Sequence, residues 1–561
     1  MWLVGVLGRG LWTPDEPREA DIAWRMSQHP AALPQLAGRP FLEKPPLTYW
    51  FSGAGIALWG DSARAARAPN LLYGALEAAC VVLLVLELGG GARAALLAGL
   101  CGSSMLLQWR VSSWLAPDAA LLAGNALALL GMWRGYRASA GGAKLRGYTL
   151  MHLGAAIGFM AKSAPGWLVP GLALLALIVW ERRWEELRRY ELYAGAILQA
   201  LLIGPWIVAV SGGPEAAGSL RTLLWHNTVG RFAPVAAPAA LDYTSGHRNW
   251  PGKYLLELPL YLLPWSLLAL AAAKRAWQQV RHSSAWRFAV CAAVPWLALL
   301  SLAATARDVY AAPALLGAAL LIGLWVRSLA EQACVFDAVC VRVTCLLMGL
   351  IALGVIAALI VLGVVGAAPR SAAFVTALII ALICAPLLAQ AARTARHTLA
   401  RAIVLLYAAH ALTVTLGALL IMPAIDVAQD LGGLAQRVRA DTSGQPLALL
   451  DPDETTLAIL DHGAASAPVM LGPAAGAAEV RNWFADEPAS ARVLVLLPGH
   501  APGPISARLG GPASAGDGAA AVLQRAGAAR LVRRYELPEG RRYALLGPLS
   551  TSTREPSHDS N

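Results

Sequence analysis

The sequence predicts an all-α polytopic integral membrane domain of about 12–13 transmembrane helices, followed by a small C-terminal soluble α/β domain. Three observations lead there. The chain of 561 residues is 57% hydrophobic and only 14% charged, whereas soluble globular domains carry roughly 25% charged residues. Apolar runs close to the roughly 20 residues needed to cross a bilayer recur along most of its length. After Met422 the long runs stop, and short strand-like and helix-like stretches take over.

Taken in order, Trp2 to Leu7 is apolar but too short to cross a membrane. It reads as a curtailed first span, the thirteenth, if the start of the chain has been assigned too late. Residues 9–67 form a charge-dense loop. Twelve stretches then read as spans: 68–88, 92–108, 117–134, 148–162, 164–180, 193–210, 253–272, 287–303, 311–326, 338–365, 372–391 and 400–422. The region 148–180 also fits a single helix broken around Lys162 and Pro165.

Basic residues gather in alternate loops: Arg134, Arg137, Lys144 and Arg146; Arg182, Arg183, Arg188 and Arg189; Lys274, Arg275, Arg281 and Arg287; Arg393, Arg396 and Arg401. The positive-inside rule makes these loops cytoplasmic. It places 9–67, the turn at Lys162, the loop 211–252, the turn at Arg307 and everything after Met422 on the outer side. The expected plan is a transmembrane domain over 1–422, an extracytoplasmic α/β domain over 423–549 and a disordered polar tail over 550–561. Within the α/β domain "PLALLD", "RVLVLLP" and "RRYALLG" read as strands, and "DVAQDLGGLAQRVRA" and "AAAVLQRAGA" as helices.

The formal charge of +11 does not indicate nucleic acid. No basic patch interleaved with aromatics occurs, and short basic loops between spans account for the excess. The 7 cysteines lie in or beside apolar runs without metal-ligand spacing, so they read as small hydrophobic fillers.

The densest charge stands beside the first apolar segments. In "TPDEPREADIAWRM", Asp15 and Glu16 sit between Pro14 and Pro17, with Arg18, Glu19 and Asp21 following on a short amphipathic helix. Acids at a helix N-terminus are explained by the helix dipole alone. The company they keep argues for more: Glu43 and Lys44 precede a rigid Pro45–Pro46 pair and an aromatic-apolar run, Tyr49 to Trp59, suited to a membrane interface. Charges held near a bilayer are costly and point to function.

These stretches resemble a known family. "DEPREADIAWRM" followed by "LPQLAGRPFLEKPPLTYWF" is similar to the lipid-linked-sugar glycosyltransferases of the GT-C type, in the branch holding bacterial lipid A aminoarabinose transferase and, more distantly, protein O-mannosyltransferases. Downstream, "APDAALL" with Asp118, "GFMAKSAPGWLVP" with Lys162, "GPWIVAV", "WHNTVGRF", "LPW" and "ARDVYAAP" follow in the family's order, covering about 1–320. Pro17 and Glu19 stand where that branch often has Gly and Tyr, and Arg307–Asp308 where it usually has a lysine-rich turn.

The resemblance implies transfer of a sugar from a polyprenyl-phosphate donor to a lipid A-like lipid, glycan or protein acceptor at the outer face of a bacterial inner membrane, with inversion. Its partners would be that donor, the acceptor and membrane lipids, with no nucleic acid. A polyprenyl-phosphate sugar leaves as an anionic phosphate, which Arg and Lys bind well. Arg18, Lys44, Arg231 and Lys162 are the expected phosphate ligands. An acceptor hydroxyl needs a base, for which Asp15 is the first candidate, with Glu16 and Asp118 orienting it or binding a divalent cation. Glu43, His226, Asn227 and Tyr310 are expected to touch substrate. Asp118 after Pro117 also fits a plain helix cap, Lys162 a snorkelling lysine, and Arg231 a solvated loop residue. His226 and His247 are too far apart in sequence to argue for a zinc site, and no resident metal or other cofactor is assigned. His152 and His410 read as packed polar residues. A transporter or flippase for a lipid-linked sugar is the alternative. It would hold its key charges at the bilayer midplane rather than in an outer loop.

Overall fold

The structure, a computed structural model, describes residues 1–212, 216–226, 229, 249–462, 464, 467–472, 476–497, 520, 523, 524 and 526–549. Asn227, Arg231, His247, residues 519, 521, 522 and 525 of the helix expected over 519–528, and the tail 550–561 lie outside the described residues. The chain divides into two compact units: Met1–Gly10, Ile22–Gln35 and Pro40–Pro423 make one, and Leu11–Asp21, Leu36–Arg39 and Ala424–Asn561 the other.

The first unit is helical. After α1 (Trp2–Leu7) and α2 (Glu16–Gln28), which begins in the second unit, come α3 (Leu47–Trp59), α4 (Ala63–Arg67), α5 (Pro69–Glu87), α6 (Gly91–Ser103), α7 (Leu106–Ser113), α8 (Asp118–Arg137), α9 (Gly142–Lys162) and α10 (Pro165–Glu181). Tyr190–Ala194 and Ala196–Ser211 continue the unit, and longer helices at Ala312–Gln332, Val335–Val365, Arg370–Thr394 and Leu399–Gln429 complete it. Each predicted span falls on helix. Among the described residues, 7 helices are long and apolar enough to cross a membrane, or 9 if two bent pairs each count once: α6 with α7 (67°) and Lys253–Tyr261 with Ser266–Gln279 (118°). That is fewer than the sequence predicts. Helices α8 and α9 carry charges at their ends and glycines along their lengths, and α10 has only 17 residues.

Those glycines position the site. Helices α8 and α9 pack antiparallel with their backbones almost touching: a Cβ on Gly131 would lie 2.2 Å from Met151 N, one on Gly147 2.2 Å from Gly135 N, and one on Gly154 2.4 Å from Ala128 N. Small residues repeated along facing helices permit such contact in a membrane. The same device closes the next turn, where a Cβ on Gly166 would lie 2.1 Å from Phe159 N. Residues 148–180 are therefore a tight helical hairpin, not one broken helix. At the start of α9 the buried Lys144 Nζ donates to Gly135 O (2.9 Å) and to both Glu186 carboxylate oxygens (3.0 and 2.9 Å). Tyr148 donates its hydroxyl to Glu186 (2.9 Å), and Arg183 pairs with the same carboxylate at 2.5 Å.

After the short strands β1 (Gln35–Leu36) and β2 (Arg39–Pro40), the second unit holds a five-stranded mixed sheet in the order β4-β3-β5-β7-β6, made of β3 (Leu447–Leu450), β4 (Val469–Leu471), β5 (Arg492–Leu496), β6 (Arg530–Glu536) and β7 (Arg542–Gly547). Strand β3 pairs in parallel with β4 and β5, and β7 runs antiparallel to β5 and β6. Strands β3, β5 and β7 are the three read from sequence. The two missed strands are its edges. Strand β6 is exposed at every residue but Tyr535 and carries Arg530, Arg533 and Arg534, the charge that keeps an edge from pairing with another chain. The core between sheet and helices is built from Val480, Phe484, Val493, Val495, Ala544 and Leu546.

Candidate active site

The largest concentration of predicted residues in the first unit surrounds one cavity, lined by Glu43, Lys44, Asp118, Lys162, Ser163, Trp296, Thr305 and Tyr310 with apolar neighbours. Its walls come from separate parts of the chain, and each is set by local chemistry. Asp118 opens α8 directly after Pro117, whose fixed φ suits the first helical turn. Its carboxylate makes no side-chain cap to the helix. Oδ1 instead accepts from Lys162 Nζ at 2.5 Å, with only 11% and 15% of the two side chains exposed. The cap reading of Asp118 and the snorkelling reading of Lys162 both give way to this pair. The glycine-lined contact of α8 and α9 is what brings the first residue of one helix to the last of the other.

Lys162 Nζ also lies 5.1 Å from the centre of the Tyr310 ring, a cation–π contact. Tyr310 is held by its backbone, since Trp296 Nε1 donates to its carbonyl at 2.8 Å. The short 3₁₀ turn Asp308–Ala311 that carries it is fixed by Asp308 Oδ1 accepting from Val309 N (2.9 Å), by an ion pair from Arg110 to Asp308, and by Tyr254 donating to Arg307 O at 3.1 Å. Lys44 follows the chain past Phe41, with Nζ 5.9 Å from that ring's centre, into the buried Pro45–Pro46 step and then α3. Helix α3 buries Tyr49 and Ile56 and leaves Phe51, Leu58 and Trp59 exposed, an apolar face open on its outer side.

Asp15, Glu16 and Arg18 belong to the second unit. There Arg18, 6% exposed at its side chain, pairs with Asp15 (3.3 Å), Glu19 (2.7 Å) and Glu454 (2.5 Å). Three carboxylates around one guanidinium neutralise it, so Arg18 fits the placing of Asp15 better than the expected binding of phosphate. Glu16 is fully buried, and its Oε2 accepts from Trp12 N at 2.8 Å, which closes the start of α2. Asp15 keeps 28% of its side chain exposed, more than Glu16 or Glu19. Thr455 donates its hydroxyl to Pro14 O at 3.0 Å, so the segment is pinned on both sides of Asp15.

His226 ends a π-helical turn, Arg221–His226, and is 5% exposed. His152 is bound between Leu192 O (2.7 Å) and Gln199 (2.8 Å), and His410 packs against Trp265. Six of the cysteines are buried and Cys334 is exposed. Among the described residues no three His, Cys, Asp or Glu side chains converge as metal ligands would. Sequence reasoning passed over Ser163, Trp296, Thr305 and Arg110. The turn "KSAPG" after Lys162 is the one signal that could have drawn attention to Ser163.

Comparison with known proteins agrees with this architecture. Residues 43–208 match the family model described as dolichyl-phosphate-mannose-protein mannosyltransferase. Over 324 residues the chain is 33% identical to the undecaprenyl phosphate-alpha-4-amino-4-deoxy-L-arabinose arabinosyl transferase of Pseudomonas aeruginosa PAO1, a match taking in 57% of each protein. It is 29% identical over 362 residues to the enzyme of the same name from Edwardsiella ictaluri, covering 64% of this chain and 62% of that one. The chain thus spans less than two thirds of the length of these curated relatives. The crystal structure of ArnT from Cupriavidus metallidurans bound to undecaprenyl phosphate superimposes with a TM-score of 0.69 at 19% identity, over 97% of this chain and 95% of that one. The chain is a multi-pass membrane protein with the fold of that ArnT structure, and over residues 43–208 it carries the sequence pattern of the dolichyl-phosphate-mannose-protein mannosyltransferase family.

Proposed function

We propose that this protein moves a sugar from a polyprenyl-phosphate donor to an acceptor at the outer face of a bacterial inner membrane, with a 4-amino-4-deoxy-L-arabinose-type pentose as the sugar and a lipid A-like lipid as the acceptor. The observation that carries the reading is the cavity in which Lys44, Lys162, Asp118, Glu43 and Tyr310 meet. The names of the relatives supply the sugar and its lipid carrier.

In this reading Lys44 and Lys162 hold the donor phosphate, with Arg231 as a third cation, and Asp118 keeps Lys162 in place through their ion pair. Glu43, His226, Asn227 and Tyr310 contact the sugar and phosphate. The acceptor oxygen attacks the anomeric carbon from the face opposite the phosphate. The bond from that carbon to the phosphate oxygen breaks, its electron pair stays on the oxygen, and polyprenyl phosphate leaves. Configuration inverts. When the acceptor is a hydroxyl, Asp15 takes its proton. When it is an already ionised phosphate, Asp15 orients it.

The test compares envelope lipids by mass spectrometry in cells with and without the protein, and with its Asp15→Asn variant. The wild type adds one pentosamine to its acceptor. Asp15→Asn lowers turnover about 10²–10⁴-fold per folded molecule if the acceptor is a hydroxyl. Identical envelope lipids with and without the protein would refute the reading. A transporter would instead keep its activity in the Asp15→Asn variant.

A further inference from the structure

We infer that the hydroxyl of Ser163 is a direct contact to the sugar–phosphate head group of the donor, kept in the chain at the expense of backbone strain. The inference rests on the function proposed above and adds a residue that neither the motifs nor the comparisons pick out.

Two independent observations converge on this side chain. The first is conformational. Ser163 follows the last residue of α9 with φ +59° and ψ −137°. That combination is the first corner of a mirror-image turn, where glycine is the ordinary occupant because any Cβ is crowded. The backbone is locked there from both sides: Ser163 N donates to Phe159 O at 2.7 Å, and Ser163 O accepts from Gly166 N at 3.0 Å. The close packing of Gly166 on Phe159 leaves the turn no room to relax. A residue other than glycine at such a point is strained, and strain of this kind is found at functional sites.

The second observation is chemical. Ser163 lines the cavity and is 6% exposed, yet its Oγ finds no hydrogen-bond partner among the described residues. Buried hydroxyls are nearly always satisfied, and leaving one unmade is costly. A serine here is therefore unfavourable twice over, in backbone and in hydrogen bonding, and glycine would remove both costs. A ligand in the cavity removes the second. Serine has a single side-chain torsion, so rotation alone turns the hydroxyl between wall and cavity. A hydroxyl both gives and accepts a hydrogen bond. Next to Lys162, and across the same cavity from Lys44 and Glu43, it meets either a phosphate oxygen or a sugar hydroxyl or amine.

The test uses the full-length protein in lipid nanodiscs, with Ser163→Gly and Ser163→Ala. Three quantities are measured: thermal midpoint, Kd for undecaprenyl phosphate, and kcat/KM for the sugar-loaded donor. Ser163→Gly raises the midpoint, because the strain is gone, and lowers kcat/KM about 3- to 10-fold, the share of one neutral hydrogen bond. Ser163→Ala shows the same kinetic loss with a smaller gain in midpoint, since it removes the unmade hydrogen bond but keeps the strained backbone. A weaker Kd for undecaprenyl phosphate places the contact on the phosphate; an unchanged Kd with raised KM places it on the sugar. Wild-type kcat/KM and Kd in Ser163→Gly overturn the inference. A wild-type protein that neither binds undecaprenyl phosphate nor turns over the donor overturns the underlying function instead.

Discussion

One helix, α9, carries a lysine–carboxylate pair at each end, and the two pairs differ in every respect but composition. Lys144 and Glu186 are 2% and 1% exposed at their side chains, and the ammonium is satisfied by a carbonyl and both carboxylate oxygens, with Tyr148 and Arg183 completing the carboxylate's shell. Lys162 and Asp118 are several-fold more exposed. They face a cavity, beside a strained turn and an unsatisfied hydroxyl. Buried ion pairs stabilise only when geometry is excellent and remaining hydrogen bonds are filled. The Lys144 end meets that condition and reads as a structural pin. At the Lys162 end the groups are held in place with bonding capacity to spare, which the proposed function assigns to the donor phosphate. At 21 residues the helix is about 31 Å long at 1.5 Å per residue, close to the roughly 30 Å hydrocarbon core of a bilayer. The pin and the cavity therefore lie at opposite ends of α9, about one hydrocarbon thickness apart.

The comparison breaks most visibly at the pinned end. Lys144→Met leaves the buried Glu186 short of a partner, a change that typically costs 3–5 kcal/mol. Because Arg183 and Tyr148 remain, a loss near 3 kcal/mol is expected here. It is read as a lower thermal midpoint with near-normal turnover in the molecules that stay folded. Lys162→Met reverses the pattern. Stability falls less than in Lys144→Met, since this pair keeps 15% and 11% of its side chains exposed where Lys144 and Glu186 keep 2% and 1%, while loss of a charge-assisted contact worth roughly 1.5–3 kcal/mol lowers kcat/KM about ten- to a hundred-fold. Equal stability losses in the two variants would erase the distinction. A third substitution acts on what the ends share. Gly154→Ala puts a Cβ 2.4 Å from Ala128 N, and overpacking of this kind costs about 1–3 kcal/mol. It should lower the midpoint and kcat/KM together, because Asp118 meets Lys162 only while α8 and α9 stay in contact.

Much of this was legible in the sequence, for reasons that differ by residue. Long apolar runs located the helices, and the positions of Glu43, Lys44, Asp118, Lys162 and Tyr310 were marked by motifs that the fold then gathers around one cavity. What escaped depends on contacts remote in sequence. Arg18 read as a phosphate ligand because nothing nearby reveals Glu454, which lies 436 positions away and claims the guanidinium. Arg110 was silent because its partner Asp308 is 198 positions off. The backbone of Ser163 is set by the packing of Gly166 on Phe159, which local propensity does not report. Strand β6 lacks an apolar alternation because it is an edge with both faces wet, and helices α8 and α9 look weakly hydrophobic because they pack through glycine rather than leucine.

The central claim is that the cavity at the Lys162 end of α9 is a phosphate site built with Lys44. It is tested most directly by the affinity of the purified protein for undecaprenyl phosphate, measured in nanodiscs for the wild type and for Lys44→Ala. Removing a charge-assisted contact of roughly 1.5–3 kcal/mol predicts a Kd about ten- to a hundred-fold weaker in the variant, at an unchanged thermal midpoint. Equal affinity in the two proteins would contradict the account.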